Sequence, residues 1–194
     1  LIDQQIQSER ESDFDSNSAY GEIIDNSLQA NAKNIKIYFS SNLIQKTEIL
    51  DFVAFGDDGD GMNSEIIEKC LSTGFSTRYN DRDGIGRFGV GMTKAFLNQC
   101  LICEIYSKEK NSDWYYTKVD INPKNKKKNE IPQPTKKIPS KDLLKLSGKA
   151  SGTIVIWRQH DKQDDKPRNI IENFEIWCGR TYREFIYKGI KIEI

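Results

Sequence analysis

The chain has 194 residues, of which 29 are basic and 29 acidic, so its formal net charge is zero. A balanced charge excludes a global field that would recruit nucleic acid or an anionic membrane. No apolar run approaches the roughly 20 residues that a membrane helix needs.

The length is typical of a single domain, and we expect one domain over residues 1–194. The absence of an initiator methionine and the apolar run at 190–194 suggest the N-terminal fragment of a longer protein. With no basic and apolar leader at the N-terminus, we expect a cytoplasmic protein, or a nuclear one in a eukaryote.

The first strong pattern along the chain predicts a helix over 16–30, with Ser16 or Asn17 as its N-cap. Apolar residues occupy one face of this helix, and Glu22, Asp25, Asn26 and Gln29 occupy the other. Two strands follow, over 35–39 and 49–55.

The remaining predicted elements are helices over 64–71, 92–98 and 169–187, and strands over 101–107, 114–121, 152–158 and 190–194. Strands and helices are mixed rather than strictly alternating. We therefore predict an α+β fold with helices on one face of a mixed, largely antiparallel sheet.

A segment rich in lysine, asparagine and proline over about 122–149 is predicted to be a flexible, mostly solvated excursion. The more specific alternative is that this segment is a nucleic-acid-binding arm, which would use Lys124 and Lys126 to Lys128. Charge runs are more often simply exposed.

The four cysteines include one C-x-x-C pair, Cys100 and Cys103. A zinc site needs a second pair of ligands, and the only histidine, His160, is distant in sequence. We expect Cys70, Cys100, Cys103 and Cys178 to be buried thiols.

The helix face with Glu22 and Asn26 is the first candidate site. The two side chains are one turn apart and point into the same space. An amide oxygen is a suitable ligand for Mg2+, and a neighbouring carboxylate could polarise a water molecule. An ordinary solvent-exposed helix face is the alternative.

The second candidate is the acidic turn Asp57-Asp58-Gly59-Asp60-Gly61-Met62, which follows an apolar strand. Asp57 could accept a hydrogen bond from an adenine amino group, and Gly59 and Gly61 would let the backbone approach a flat ring. A calcium loop is excluded because Ile67 stands where the bidentate glutamate is needed. A plain acidic turn remains possible.

The third candidate is the glycine loop Gly86-Arg87-Phe88-Gly89-Val90-Gly91. Residues 84–89 match the Rossmann pattern literally, but the apolar strand that must precede it is missing. The protein-kinase version fails as well, because Gly91 stands where valine is required. A flexible loop before a helix N-terminus can still bind phosphates without a Walker P-loop.

These motifs, in this order and with the late Gly152-Thr153 before an apolar strand, resemble the boxes of the GHKL ATPases. That superfamily comprises DNA gyrase, the ninety-kilodalton heat-shock chaperones, histidine kinases and MutL. Residues 88–91 resemble the chaperone version most, and Gly74-Phe75-Ser76-Thr77 resembles MORC-type ATPases. The resemblance implies a two-layer α/β sandwich, the Bergerat ATP-binding fold.

The resemblance also implies a role for each motif. Glu22 would be the general base and Asn26 the Mg2+ ligand. Asp57 would accept the adenine amino group, aided by Thr153, with Met62 packed on the ring. Residues 86–91 would wrap the phosphates, and 72–84 would be part of a mobile ATP lid.

The implied function is ATP binding and slow, Mg2+-dependent hydrolysis that closes the lid and dimerises a larger chaperone-like or DNA-associated machine. Many relatives carry an acidic residue where this chain has Gln29, so the role of that position is open. In several relatives a basic residue from a following domain reaches the γ-phosphate. We therefore expect weak hydrolysis by this chain alone.

Two alternatives remain. A histidine-kinase-type ATP-binding domain would typically have asparagine at the position of Glu22, and its phosphoacceptor histidine should precede the domain, whereas His160 lies after the fourth motif. The second alternative is a nucleotide-sensing scaffold module that binds ATP without hydrolysing it, and such a module would not need a general base.

Overall fold

The computed structural model describes residues 7–8, 10–11, 14–75, 90–125, 133–162 and 165–194. The α-helices with defined bounds are α1 Ser16–Gln29, α2 Ser64–Phe75, α3 Val90–Gln99, α4 Pro167–Thr181 and α5 Arg183–Tyr187. The strands are β1 Asn34–Ile44, β2 Thr47–Asp57, β3 Cys100–Lys108, β4 Tyr115–Asp120, β5 Thr135–Lys136, β6 Gly152–His160 and β7 Lys191–Glu193. A short 3-10 helix covers Leu143–Leu146.

The seven strands form one sheet in the order β5-β4-β3-β6-β2-β1-β7. Every neighbouring pair is antiparallel except β1 and β7. The α-helices α1, α3 and α4 pack on one face of this sheet, which confirms the predicted α+β sandwich.

The start of α1 differs from the prediction. Asp15, and neither Ser16 nor Asn17, is the N-cap, because its carboxylate accepts a hydrogen bond from the Ser18 N–H at 3.0 Å. Aspartate is as good an N-cap as serine or asparagine, so sequence preference alone does not select among the three.

The first two strands are longer than predicted and form a hairpin. Gln45 and Lys46 make its two-residue turn with φ values of 47° and 69°. This left-handed backbone is usually supplied by glycine or asparagine, so the turn carries no local sequence signal. The pairing runs from Ile44 opposite Thr47 to Ile35 opposite Asp57.

An aromatic cluster joins the helices to the sheet. Tyr20 of α1 lies with its ring centroid 5.5 Å from that of Phe55, 5.8 Å from that of Trp157 and 5.2 Å from that of Phe174. All four side chains are buried. Burial of such large apolar surfaces stabilises the contact between α1 and the end of β2, where the candidate site lies.

The opposite face of the sheet is covered in part by the 3-10 helix and its flanks, residues 139–149, which we call the strap. Leu143, Leu144 and Leu146 pack against buried Ala54 and Ile156. The leucines of the strap are thus partly buried, whereas the charged residues around them, Lys141, Asp142, Lys145 and Lys149, are exposed.

The predicted helix over 169–187 is two helices. Tyr182 separates α4 from α5 and has φ −101° and ψ 13°. Its side chain is buried against α1 rather than pointing to solvent. None of the described helices is long and apolar enough to cross a membrane.

The strap gives a direct test of the packing on the outer face. A Cβ atom at Gly56 would lie 2.5 Å from the Leu146 carbonyl oxygen, so Gly56→Val should push the strap off the sheet. We expect a loss of about 1–3 kcal/mol in the free energy of unfolding and faster proteolysis within 133–149. Thr47→Val, at an exposed position of the same strand, is the control. Unchanged stability and unchanged proteolysis would contradict the packing.

Candidate functional site

The candidate site is built around Asp57, the last residue of β2. Its side chain is 5% exposed. Residues 52–55 of β2 are apolar, and β2 lies between β1 and β6, so the end of this strand brings the carboxylate into the interior next to α1.

Three groups surround the Asp57 carboxylate. The N–H groups of Gly59 and Thr153 donate to Oδ1 at 2.9 Å and 3.3 Å. The hydroxyl of Ser27 lies 3.1 Å from Oδ2 and 3.0 Å from the Ile23 carbonyl oxygen, and it donates to one of these at a time. Asp57 therefore contacts α1, its own turn and β6.

Burial raises the pKa of Asp57 from 3.8 to about 6, and the hydrogen bonds from Gly59, Ser27 and Thr153 oppose that rise. Desolvation disfavours the charged form, and the three donors recover only part of that cost. A ligand group that donates to this carboxylate would stabilise its ionised form.

A second layer of hydrogen bonds positions Thr153 and Met62. The hydroxyl of Ser107 lies 2.8 Å from that of Thr153 and accepts a hydrogen bond from the Met62 N–H at 2.8 Å. Ser107 is fully buried at the end of β3. It ties the acidic turn to the start of β6.

A cavity of about 340 Å³ opens next to Asp57. That volume lies within the range of small-molecule sites. Its wall includes the predicted site residues Asn26, Asp57, Gly61, Met62 and Thr153. Gln29 of the candidate helix face and Asp60 of the candidate turn also line it, although neither was given a role. The wall residues that were not predicted are Ile23, Ser27, Ala30, Ile66, Cys70, Met92, Glu109 and Val155.

Sequence reasoning missed two kinds of wall residue. Ser27 follows Asn26 directly, and its position on α1 could have suggested a contact with the acidic turn. Ile66, Cys70 and Met92 come from α2 and α3, and their contribution depends on how these helices pack, for which the sequence holds no local signal.

The backbone of the acidic turn requires glycine at two places. Gly61 has φ 73°, and a side chain there would collide with the Lys108 carbonyl. A Cβ at Gly59 would lie 2.6 Å from the Ala30 carbonyl oxygen. Gly59 does not line the cavity, and it acts through its N–H bond to Asp57.

Glu22 lies beside the cavity rather than in its wall. Its carboxylate packs against the α-carbon of Gly91, where any side chain would overlap with it. Burial raises the pKa of Glu22, and the negative charge of Asp25 raises it further. The result is a half-buried carboxylate with increased basicity at the N-terminal turn of α3.

Four of the predicted loop residues, Gly86, Arg87, Phe88 and Gly89, lie outside the described residues, as do most of the predicted lid residues. Val90 is the first residue of α3, and Gly91 follows it. The structure thus places the end of the glycine loop at a helix N-terminus, where free N–H groups favour anions.

The four cysteines are buried free thiols, as predicted. Burial raises the pKa of Cys70, Cys100, Cys103 and Cys178 above the usual value for a thiol. Only Cys70 among them lines the cavity.

One solved structure, described as the crystal structure of the N-terminal domain of a DNA repair protein, is similar to this chain in fold, with a TM-score of 0.52 and 16% sequence identity. The match covers 97% of this chain and 47% of that chain, so this chain spans about half the length of its structural relative. No curated protein matches the sequence.

The raised pKa of Asp57 predicts an unusual stability profile. Its folded-state pKa exceeds the unfolded value of 3.8, so the folded protein binds the extra proton and the resulting stability is lost as pH rises through about 6. In Asp57→Asn the amide can donate to Ser27 and accept from Gly59 and Thr153. The unfolding free energy of the wild type relative to this variant should fall by roughly 2–3 kcal/mol between about pH 4 and pH 7.5.

Urea denaturation of both proteins at the two pH values measures this change. A relative stability that stays constant with pH would show that Asp57 titrates at an ordinary pKa.

The family comparison agrees with this geometry. The family model described as "Histidine kinase-, DNA gyrase B-, and HSP90-like ATPase" matches residues 14–153, a span that runs from the start of α1 to Thr153 in the cavity wall. Most of the chain lies within this match. The chain belongs to the histidine kinase, DNA gyrase B and HSP90-like (GHKL) ATPase family.

Proposed function

We propose that this chain binds ATP with Mg2+ in the cavity beside Asp57 and hydrolyses it slowly. The observation that carries the proposal is the buried Asp57 carboxylate, held by three donors yet open to a cavity of about 340 Å³. A buried acceptor of this kind selects a ligand that brings its own donor, such as the amino group of adenine.

The wall of the cavity suits a purine ring. Met62, Ile66 and Met92 offer polarisable or apolar surface to its faces. Thr153, positioned by Ser107, offers a hydroxyl next to Asp57. An apolar slot with a few placed polar groups is the usual composition of a nucleotide-base pocket.

Asn26 is the residue that would hold Mg2+. Its side-chain amide lines the cavity and makes no hydrogen bond to any other described residue. A free amide oxygen fits the preference of Mg2+ for hard oxygen ligands. When bound, the ion would neutralise charge on the phosphates.

Glu22 would orient and deprotonate the attacking water. Its raised pKa makes it a better proton acceptor near neutral pH than an exposed glutamate. Its carboxylate contacts Gly91 at the start of α3, and we place the phosphates there because helix N-termini bind anions. Glycines 86, 89 and 91, with Arg87, Phe88 and Val90, would wrap them.

The larger role is also a proposal. Family likeness supports a chain that closes a lid over ATP and forms a nucleotide-dependent homodimer within a larger chaperone-like or DNA-associated machine. Nucleotide contacts would select the closed lid, so ATP binding would act as a switch.

The proposed adenine site at Asp57 is tested by titrating ATP with Mg2+ into the wild type and into Asp57→Asn, using calorimetry. The variant should bind at least about 30-fold more weakly, because its amide presents a donor to the adenine amino group. Asp142→Asn, whose side chain is 88% exposed, is the control. Equal affinities would show that the adenine ring does not bind at Asp57. Failure of the wild type to bind ATP would overturn the proposal.

The chemical step is tested with Glu22→Gln. Hydrolysis should fall by about 100-fold or more, whereas ATP affinity should stay within about threefold, because a general base acts in the transition state. The measurement is single-turnover hydrolysis with protein in excess over ATP. Unchanged hydrolysis in this variant would remove Glu22 from the mechanism.

A further inference from the structure

The junction between α4 and α5 contacts α1, the helix that carries Glu22. The hydroxyl of Tyr182 lies 3.0 Å from the carbonyl oxygen of Gly21 and 3.0 Å from Oδ1 of Asp25. These two residues flank Glu22, one directly before it and one three positions after it. The single hydroxyl proton serves either acceptor, and the Tyr182 ring is 3% exposed.

The close approach depends on Gly21. A Cβ atom there would lie 2.6 Å from the Trp177 ring and 3.1 Å from the Tyr182 hydroxyl. The rings of Trp177 and Tyr182 pack edge to face, with centroids 5.9 Å apart. The pair therefore fixes the turn of α1 from Gly21 to Asp25 in both position and rotation.

Within that turn, Glu22 reaches α3. Its carboxylate packs against Gly91, with no room for a side chain at that position. Since Glu22 forms no hydrogen bond with another described residue, its place at α3 is set by the position of α1. The position of α1 is in turn set by contacts that include Tyr182 and Trp177.

The residue held by Tyr182 also carries charge. Asp25 lies one turn from Glu22, so the two carboxylates repel each other. A hydrogen bond from Tyr182 restricts the rotation of the Asp25 side chain.

We propose that Tyr182 and Asp25 are positioning residues for Glu22: Tyr182 fixes the turn that carries the Glu22 carboxylate to the start of α3, and Asp25 places a second carboxylate one turn away from it. The role assigned to Glu22 rests on the proposed ATPase function. The contacts of Tyr182 and Asp25 do not depend on it.

Among the described residues, the titratable groups beside this turn are Asp25 on α1 itself, Tyr182 at the α4–α5 junction, and Cys178 on α4, which lies next to Tyr182. Lys94 is the charged residue of α3. Cys178 and Lys94 are unchanged in the variants below, so differences among them report on Asp25 and Tyr182.

The first test reads the protonation of Glu22 directly and requires no activity. Carbon-13 NMR titration of glutamate-labelled protein, with the Glu22 signal assigned through Glu22→Gln, gives its pKa. In Asp25→Asn that pKa should fall because the repulsion is gone, but it should stay above those of exposed glutamates because burial is the larger cause of its rise. Asp142→Asn should leave it unchanged. An unchanged Glu22 pKa in Asp25→Asn would overturn the charge part of the inference.

The second test separates positioning from binding. Tyr182→Phe removes only the hydroxyl, and single-turnover hydrolysis should slow by about five- to tenfold with ATP affinity within about twofold of the wild type. Tyr187→Phe, at a side chain that is 96% exposed on the neighbouring helix, is the matched control. In Asp25→Asn the acid limb of the pH–rate profile should move to lower pH.

The outcomes separate the two proposals. If ATP binds and Glu22→Gln abolishes hydrolysis, but Tyr182→Phe hydrolyses at the wild-type rate, the proposed function stands and the positioning role of Tyr182 is wrong. If the wild type does not bind ATP, the proposed function fails, and the NMR titration still decides whether Asp25 sets the basicity of Glu22.

Discussion

The arrangement of this domain depends on one buried carboxylate. Asp57 cannot lie in the interior without hydrogen-bond donors, and these come from separate parts of the chain: Ser27 on α1, Gly59 in the turn, and Thr153 on β6. Its backbone carbonyl also accepts a hydrogen bond from the Ser147 hydroxyl at the end of the strap. The hydrogen bonds to Asp57 therefore hold the helix layer, the sheet and the strap in one arrangement, and the cavity lies where these elements meet.

Helix α1 connects this cavity to the proposed chemistry. Its buried face carries Tyr20, which packs in the aromatic cluster, while Asn26 lines the cavity and Glu22 reaches α3. Glycines allow this helix to sit close to its neighbours, Gly21 facing Trp177 and Gly91 facing Glu22. A rigid helix between two such contacts holds Asn26 and Glu22 at a constant separation, as the proposed metal binding and proton transfer would require. Preorganisation of this kind lowers the cost of reaching a reactive geometry.

Much of the site could be read from short-range sequence patterns. The i, i+4 spacing of Glu22 and Asn26 on a helix and the position of Asp57 at a strand end depend only on local periodicity, and the structure has the corresponding helix and strand. The mixed order of helices and strands likewise sufficed for the α+β class. The positive-φ turn at Gln45 could not be predicted, since it has neither glycine nor asparagine. The strap leucines lie in a segment rich in lysine and proline, so the sequence did not show that the sheet would partly bury them.

By itself, the sequence determined on which helix face and at which strand end the candidate site residues lie, because helix and strand periodicity assign each side chain to a face. It also determined where glycine was needed, as at Gly61, because a positive φ excludes most other residues. Only the tertiary structure decided that Ser107 would position Thr153, and that Tyr182 would end α4 and hold Asp25. The contact between Ser107 and Thr153 joins residues that are 46 positions apart in the chain, and the contact between Tyr182 and Asp25 joins residues that are 157 positions apart. Such pairs are set by the packing of whole elements, which no local pattern encodes.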